Sequence, residues 1–245
     1  MKLFIFIHKS DRQHYVKTPD RVVMQVGYEP ENFALYRDNI KDNIADKNRY
    51  YSELTGIYWI WKNVKEDIVG VFPYRVYFIN RYSYQGAKIR IKPLREEQIK
   101  ELLTNFDVIV PGPIVFDETV EEQFNRYHGA DVMKKMQDII KNKCPEYEKD
   151  FDKYIMRGKI LYSANAMIAK KEFFDAYCQW MFPLIEELEL KVDPEEGNRE
   201  DKRVFGAMSE RLFTLWLLHN KEFKFFQQKT LWLERLGMKI DYITE

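Results

Sequence analysis

Short unbroken apolar runs recur along this chain between stretches of helical periodicity, and that alternation restricts the fold more than any other feature. The runs are Leu3 to Ile7 (LFIFI), Arg21 to Val26 (RVVMQV, closed by Gly27), Ile68 to Phe72 (IVGVF), Asp107 to Val110 (DVIV) and Leu161 to Ala169 (LYSANAMIA). Apolar at nearly every position rather than every second one, they read as strands covered on both faces. Between them, Tyr50 to Asn63 repeats Leu54, Ile57, Tyr58 and Trp61 at helical spacing. Residues 95–105, 117–157 (with a break at Pro145), Lys171 to Glu189 and Arg203 to His219 also read as helices. The pattern predicts an α/β protein: a mostly parallel, Rossmann-like sheet flanked by helices, with additional helices toward the C-terminus.

Such sheets bind ligands beyond the carboxyl ends of their strands. The segments expected to matter are therefore His8-Lys9, the polar stretch 28–48, Pro73 to Phe78 and the end of the 161–169 strand. Residues 193–202 (DPEEGNREDK) read as a polar loop. No repeat or low-complexity tract occurs. One domain over 1–245 is expected: a ligand-binding half to about residue 115, a helical half from about 116 to 220, and a tail over 221–245.

Charge excludes one class of partner. Lys plus Arg and Asp plus Glu both number 39, so no excess of positive charge exists to bind duplex nucleic acid. Cys144 and Cys178 lie far apart without metal-ligand spacing, which fits a reducing compartment. The apolar start is too short for a signal peptide, and no run approaches the ~20 apolar residues of a membrane span. A cytoplasmic protein is expected, peripheral at most to the inner face of the membrane. No glycine-rich phosphate loop and no G-x-S-x-G elbow occur, which speaks against P-loop enzymes, Rossmann dehydrogenases and serine hydrolases of the α/β-hydrolase kind.

Five ordered segments, spread from the first strand to about residue 220, carry a family resemblance. They are IFIHK, ending at His8-Lys9; DNIADKNRYYSELTGIYWIWKN (42–63); DIVGVFPYRVYF (67–78); ANAMIAKKEFFDAYCQWMF (164–182); and RVFGAMSERLFTLWL (203–217). Together they resemble a bacterial family first catalogued as a domain of unknown function, found in capsule, exopolysaccharide and O-antigen synthesis. The resemblance implies a GT-A-like glycosyltransferase that moves a hexose from a UDP-sugar to a glycan or lipid-linked glycan; galactofuranose is the expected sugar. In the family the third segment usually resembles HYRRYF. Here Pro73-Tyr74-Arg75-Val76-Tyr77-Phe78 keeps Tyr74, Arg75, Tyr77 and Phe78 but lacks the His and the second Arg.

A glycosyltransferase must neutralise a departing diphosphate and, if it inverts, deprotonate an acceptor hydroxyl. Many GT-A enzymes use a D-x-D pair and Mg²⁺ or Mn²⁺ after a central strand; here that place holds Tyr74 and Arg75. The literal D-x-D, Asp150-Phe151-Asp152, falls in a charged helical stretch and reads as a solvated face. A metal-independent mechanism is therefore the working expectation, with Mg²⁺ or Mn²⁺ left open. Arg75, with Lys9 or Lys47, supplies charge to the diphosphate in this reading, because guanidinium bonds phosphate bidentately; a structural ion pair is the alternative.

Asp42, Asn43, Asp46, Lys47 and Asn48 are candidates for base, ribose or diphosphate, although Asp46 or Asn48 equally suits a helix cap. His8, Glu53, Tyr74 and Asn165 complete the expected donor set. His8, Glu53 and Asn165 each have a structural alternative: a lone histidine, an exposed helix carboxylate, a strand-edge amide. Glu210 is the expected general base and Asp201 the reserve, with Gly206 and Ala207 leaving room for a ligand. An intrahelical pair of Glu210 with Arg203 or Arg211 is the competing reading. His128, Arg203 and Arg211 are acceptor-side candidates. Lys221 to Phe226 suggests membrane contact or a packed helix edge. Two rival functions remain: a metal-dependent retaining transferase, and a non-catalytic binding subunit of a synthase.

Overall fold

The computed structural model describes residues 1–9, 21–27, 31–85, 88–196, 201–232 and 239–242. A seven-stranded sheet forms the centre. Its strands are β1 (Lys2–Ile7), β2 (Arg21–Gln25), β3 (Tyr36–Arg37), β4 (Ile68–Pro73), β7 (Val108–Pro111), β10 (Met167–Lys170) and β11 (Phe225–Gln228). They lie in the order β11-β7-β10-β4-β1-β2-β3. All neighbouring pairs are parallel except those of β10, which runs antiparallel to both β4 and β7. This is the mostly parallel α/β architecture that the alternation predicts, and it matches the GT-A-like fold that the family resemblance implies.

β1 shows why its run is unbroken. Phe4 and Phe6 join one core, whereas Leu3, Ile5 and Ile7 join the other. The first core lies under α2 (Leu54–Asn63), α5 (Ala130–Lys143), α7 (Lys171–Glu189) and α8 (Val204–His219). The second lies under α3 (Glu96–Asn105) and the root of a smaller sheet. Gly56 makes the α2 contact possible: a Cβ there would stand 2.7 Å from Phe6 and 2.9 Å from Val26. No helix among the described residues is long and apolar enough to cross a membrane.

Four local readings need correction. The 161–169 strand is two pieces, β9 (Ile160–Leu161) and β10, separated by a turn in which Ala164 (φ 70°) and Asn165 (φ 47°) are left-handed. The 50–63 helix starts earlier, as α1 (Asn48–Tyr51), and breaks at Ser52 (φ 52°) before α2. Residues 76–93, unassigned from sequence, form strands β5 (Val76–Gln85) and β6 (Lys88–Pro93), paired antiparallel. The Lys221 to Phe226 run is not a helix edge. It enters β11 beside β7, with Phe223 against Phe173 and Phe225 against Tyr162. The chain then adds β12 (Thr230–Trp232) to β5 and β13 (Lys239–Tyr242) to β6, so the tail stitches both sheets. Phe223, Phe225, Phe226 and Trp232 pack against the two cores.

The candidate active site

The carboxyl ends of β1, β2 and β4 converge, and β10 begins at the same place from the opposite direction. The pairing of Met167 with Val71 puts the Ala164–Asn165 turn next to the end of β4. β1 delivers His8 and Lys9, both exposed. The His8 ring lies 5.9 Å from that of Tyr74. The Tyr74 backbone N–H donates to the Phe6 carbonyl, which fixes the Tyr74-Arg75 turn beside the end of β1. Tyr74 is buried and Arg75 half-buried.

Two carboxylates are held by the left-handed turn. Asn165, 1% exposed, donates its amide to Glu53 Oε1 at 3.0 Å and to Ser209 Oγ at 2.8 Å. The neighbouring Ala164 N–H donates to Glu210 Oε1 in a short hydrogen bond. Glu210 Oε2 accepts from Arg211 at 3.1 Å. Burial raises the Glu210 pKa; the charge of Glu53 adds to the rise, while Arg211, the Ala164 N–H and Arg203 oppose it. Glu53 Oε2 accepts no hydrogen bond among the described residues.

Arg211, 3% exposed, is fixed by the Ala207 carbonyl, by Gln123 and by the Phe124 ring 5.1 Å below its guanidinium. Strain concentrates here. Ser52, Ala164 and Asn165 are three of the four non-glycine residues with positive φ among the described residues, and such conformations cost of order 1–3 kcal/mol each unless the surroundings impose them.

Gly206 has a different role from the one expected. A Cβ there would lie 3.0 Å from both Ser52 Cβ and the Tyr51 carbonyl. The glycine admits the strained α1–α2 junction, which puts the helix bearing Ser209 and Glu210 beside Glu53.

Asp201, Arg203 and His128 form an adjoining group. The Arg203 guanidinium and backbone N–H both bond the Asp201 carboxylate. Burial pushes the Asp201 pKa up, but these bonds outweigh it and hold the group below its usual range. A carboxylate so occupied is a poor base, and Arg203 pairs with it rather than with Glu210. His128, 5% exposed, donates Nδ1–H to the Asp201 carbonyl at 2.8 Å. Burial lowers its pKa, against the opposing pull of the Asp201 carbonyl.

Several donor candidates are not brought to this cluster. Lys47 pairs with Glu189 at 2.6 Å, at the end of α7. Asn43 makes a local turn, bonding the Lys41 carbonyl and the Ala45 N–H. Asp42 meets Tyr58 and, through its carbonyl, Asn63 at the far end of α2. The helix that begins beside Glu53 carries that contact about 15 Å away. Asp46 is exposed on a 3₁₀ turn. Asn48 opens α1 and bonds Ser52 O and Thr55 Oγ1.

Asn48 leads to a residue that sequence reasoning missed. Asp38, fully buried, accepts from the Gly27 N–H at 3.1 and 3.2 Å and from the Thr55 hydroxyl at 2.5 Å. Burial pushes its pKa up to about 6, against those bonds. One Asp within a polar loop gave no signal, because its partners come from β2 and α2.

Mg²⁺ or Mn²⁺ finds no ready ligand set among the described residues. The turn after β4 offers Tyr74 and Arg75, and no group of three or more metal-binding side chains converges. Of the literal D-x-D, Asp150 is bonded to His219 and Asp152 to Arg157. An open groove of about 460 Å³, lined by Tyr50, Phe205 and residues 189–194, runs beside α1.

The model of a family described as a domain of unknown function, DUF4422, matches residues 2–221. The chain belongs to this family. The DUF4422 match takes in Glu53, the Ala164–Asn165 turn and Glu210, and ends before β11. No curated protein matches the sequence. Among solved structures, the DUF4422 chain is similar to the apo structure of WbbM, a bifunctional glycosyltransferase, with a TM-score of 0.80 at 21% identity. The likeness covers 95% of this chain and 45% of that one, so the chain spans under half the length of that protein. At such identity the likeness speaks for the fold.

Proposed function

We propose that the chain is a glycosyltransferase moving a hexose from a UDP-sugar to a glycan acceptor by inversion, with Glu210 as general base. The observation that carries this reading is the left-handed Ala164–Asn165 turn, which holds two carboxylates at the carboxyl end of a GT-A-like sheet. The likeness to a protein named a bifunctional glycosyltransferase supports it. In the proposed step the acceptor oxygen attacks the anomeric carbon and its proton passes to Glu210. The bond from that carbon to the diphosphate oxygen breaks, and UDP leaves with the electron pair. A raised pKa suits a base that must take a proton near neutrality. Arg75, at the end of β4, offers the diphosphate a bidentate donor. The galactofuranose donor and the surface-polysaccharide acceptor rest on the family resemblance.

One observation favours a second assignment within the same reaction. Among the described residues Glu53 Oε2 accepts no hydrogen bond, while both oxygens of Glu210 are engaged. In that version Glu53 takes the proton and Glu210 braces the turn. The test is a screen of UDP-sugars, including UDP-galactofuranose, for thermal stabilisation and UDP release, with and without Mn²⁺. Stabilisation by one UDP-sugar and acceptor-dependent release of UDP are expected. Binding without transfer to any acceptor would favour a non-catalytic binding subunit, and no binding of any UDP-sugar would end the proposal.

A further inference from the structure

From Ile68 to Arg95 the sequence contains Arg75, Arg81, Lys88, Arg90, Lys92 and Arg95 but no Asp or Glu, in a chain whose charges otherwise balance. The fold gathers most of this stretch into the β5–β6 ribbon. Arg81 lies directly opposite Lys92, Ser83 opposite Arg90 and Gln85 opposite Lys88. Ile79 and Ile91 root the ribbon in buried surroundings, whereas Asn80, Arg81, Tyr82 and Ser83 are exposed. Exposed Lys229, between β11 and β12, holds its ammonium 4.8 Å over the Tyr82 ring. β13 runs along the other side, with Asp241 in register with Arg90.

We infer that this ribbon docks the protein on an anionic lipid bilayer. Basic residues near such a surface are attracted over about a Debye length, and tyrosine and tryptophan rings settle at headgroup level. Tyr82 stands exposed on the ribbon. The ribbon begins just after the Tyr74-Arg75 turn, so docking brings that turn toward the headgroups. Zero net charge over the whole chain favours a bilayer over nucleic acid, which draws on many phosphate contacts. The inference goes beyond the proposed reaction and does not depend on which sugar is moved.

The test is co-sedimentation of the full chain with vesicles of phosphatidylcholine alone, and with about one third phosphatidylglycerol. The wild type is expected on the anionic vesicles only, and less so as salt rises. The double variant Arg81→Glu, Lys229→Glu is expected to partition at least about tenfold more weakly, with its melting temperature and UDP affinity unchanged. Arg81→Lys, Lys229→Arg keeps the charge and should bind like the wild type. Equal binding to neutral vesicles, or unchanged binding of the reversed variant, would overturn the inference. So would loss of UDP affinity with vesicle binding intact, or charge-dependent binding to RNA in place of vesicles.

Discussion

Asp38 and Glu210 are both carboxylates whose pKa burial raises, at the same end of the same sheet, yet the chain surrounds them differently. Asp38 is sealed: wholly buried, with a backbone N–H and a hydroxyl donating to it from β2 and α2. Glu210 keeps one fifth of its side chain exposed, leans on a left-handed turn and shares that turn with a second carboxylate. A saturated buried acid orders a fold; in the proposed reaction it is the partly open acid, bonded by a strained turn, that takes the proton.

The sharpest way to break this distinction is to remove each charge in turn. Glu210→Gln is expected to keep UDP affinity and lose transfer by about a thousandfold, measured as product formed at saturating donor. Full transfer by that variant would hand the base to Glu53 or end the assignment. Asp38→Asn is expected to leave transfer within a few-fold of wild type and to change stability instead. The folded-state pKa of Asp38 is raised to about 6 from 3.8, so its favourable contribution is full below about pH 4 and fades as pH rises through 6. The loss is on the order of 3 kcal/mol. Denaturant melts from pH 4 to 7 should show that decline in the wild type, added to a decline of the same sign from Glu210, and a shallower one in Asp38→Asn.

Gly206→Ala probes the junction between the two regions. The new methyl meets the Tyr51 carbonyl and Ser52 Cβ at 3.0 Å, and the expected cost is about 1–3 kcal/mol in a denaturant melt. Transfer should fall with it, because α8 and α2 move apart. Arg75→Ala should weaken UDP binding about tenfold by calorimetry, one bidentate phosphate contact being worth roughly 1.4 kcal/mol. An unchanged dissociation constant would remove Arg75 from the donor site.

Much of the fold was legible because two-sided burial writes itself as unbroken apolar runs. β1, β2, β4 and β7 fall where those runs fall. The β5–β6 ribbon was not legible: past Ile79 the stretch Asn80-Arg81-Tyr82-Ser83 is polar, basic or aromatic and exposed. β11 hid in a run of Phe and Lys for the same reason. The site was legible by halves. Glu53, Asn165, Glu210 and Arg211, singled out separately, lie together around the Ala164–Asn165 turn, with Glu210 and Arg211 forming the pair that was the competing reading. Asp42, Asn43 and Lys47 did not follow, since Asp42 bonds α2, Lys47 bonds α7 and Asn43 bonds its own loop. Asp38 was invisible because its significance lies wholly in Gly27 and Thr55, partners distant in sequence.

The most direct test of the central claim is a crystal structure of the chain with UDP bound. The diphosphate is predicted to lie at the strand ends, between Arg75 and the 164–165 turn, with Glu53 and Glu210 facing the position of the departing sugar. Nucleotide found instead in the groove beside Tyr50 and Phe205, or a strand-end crevice left empty at saturating UDP, would contradict it.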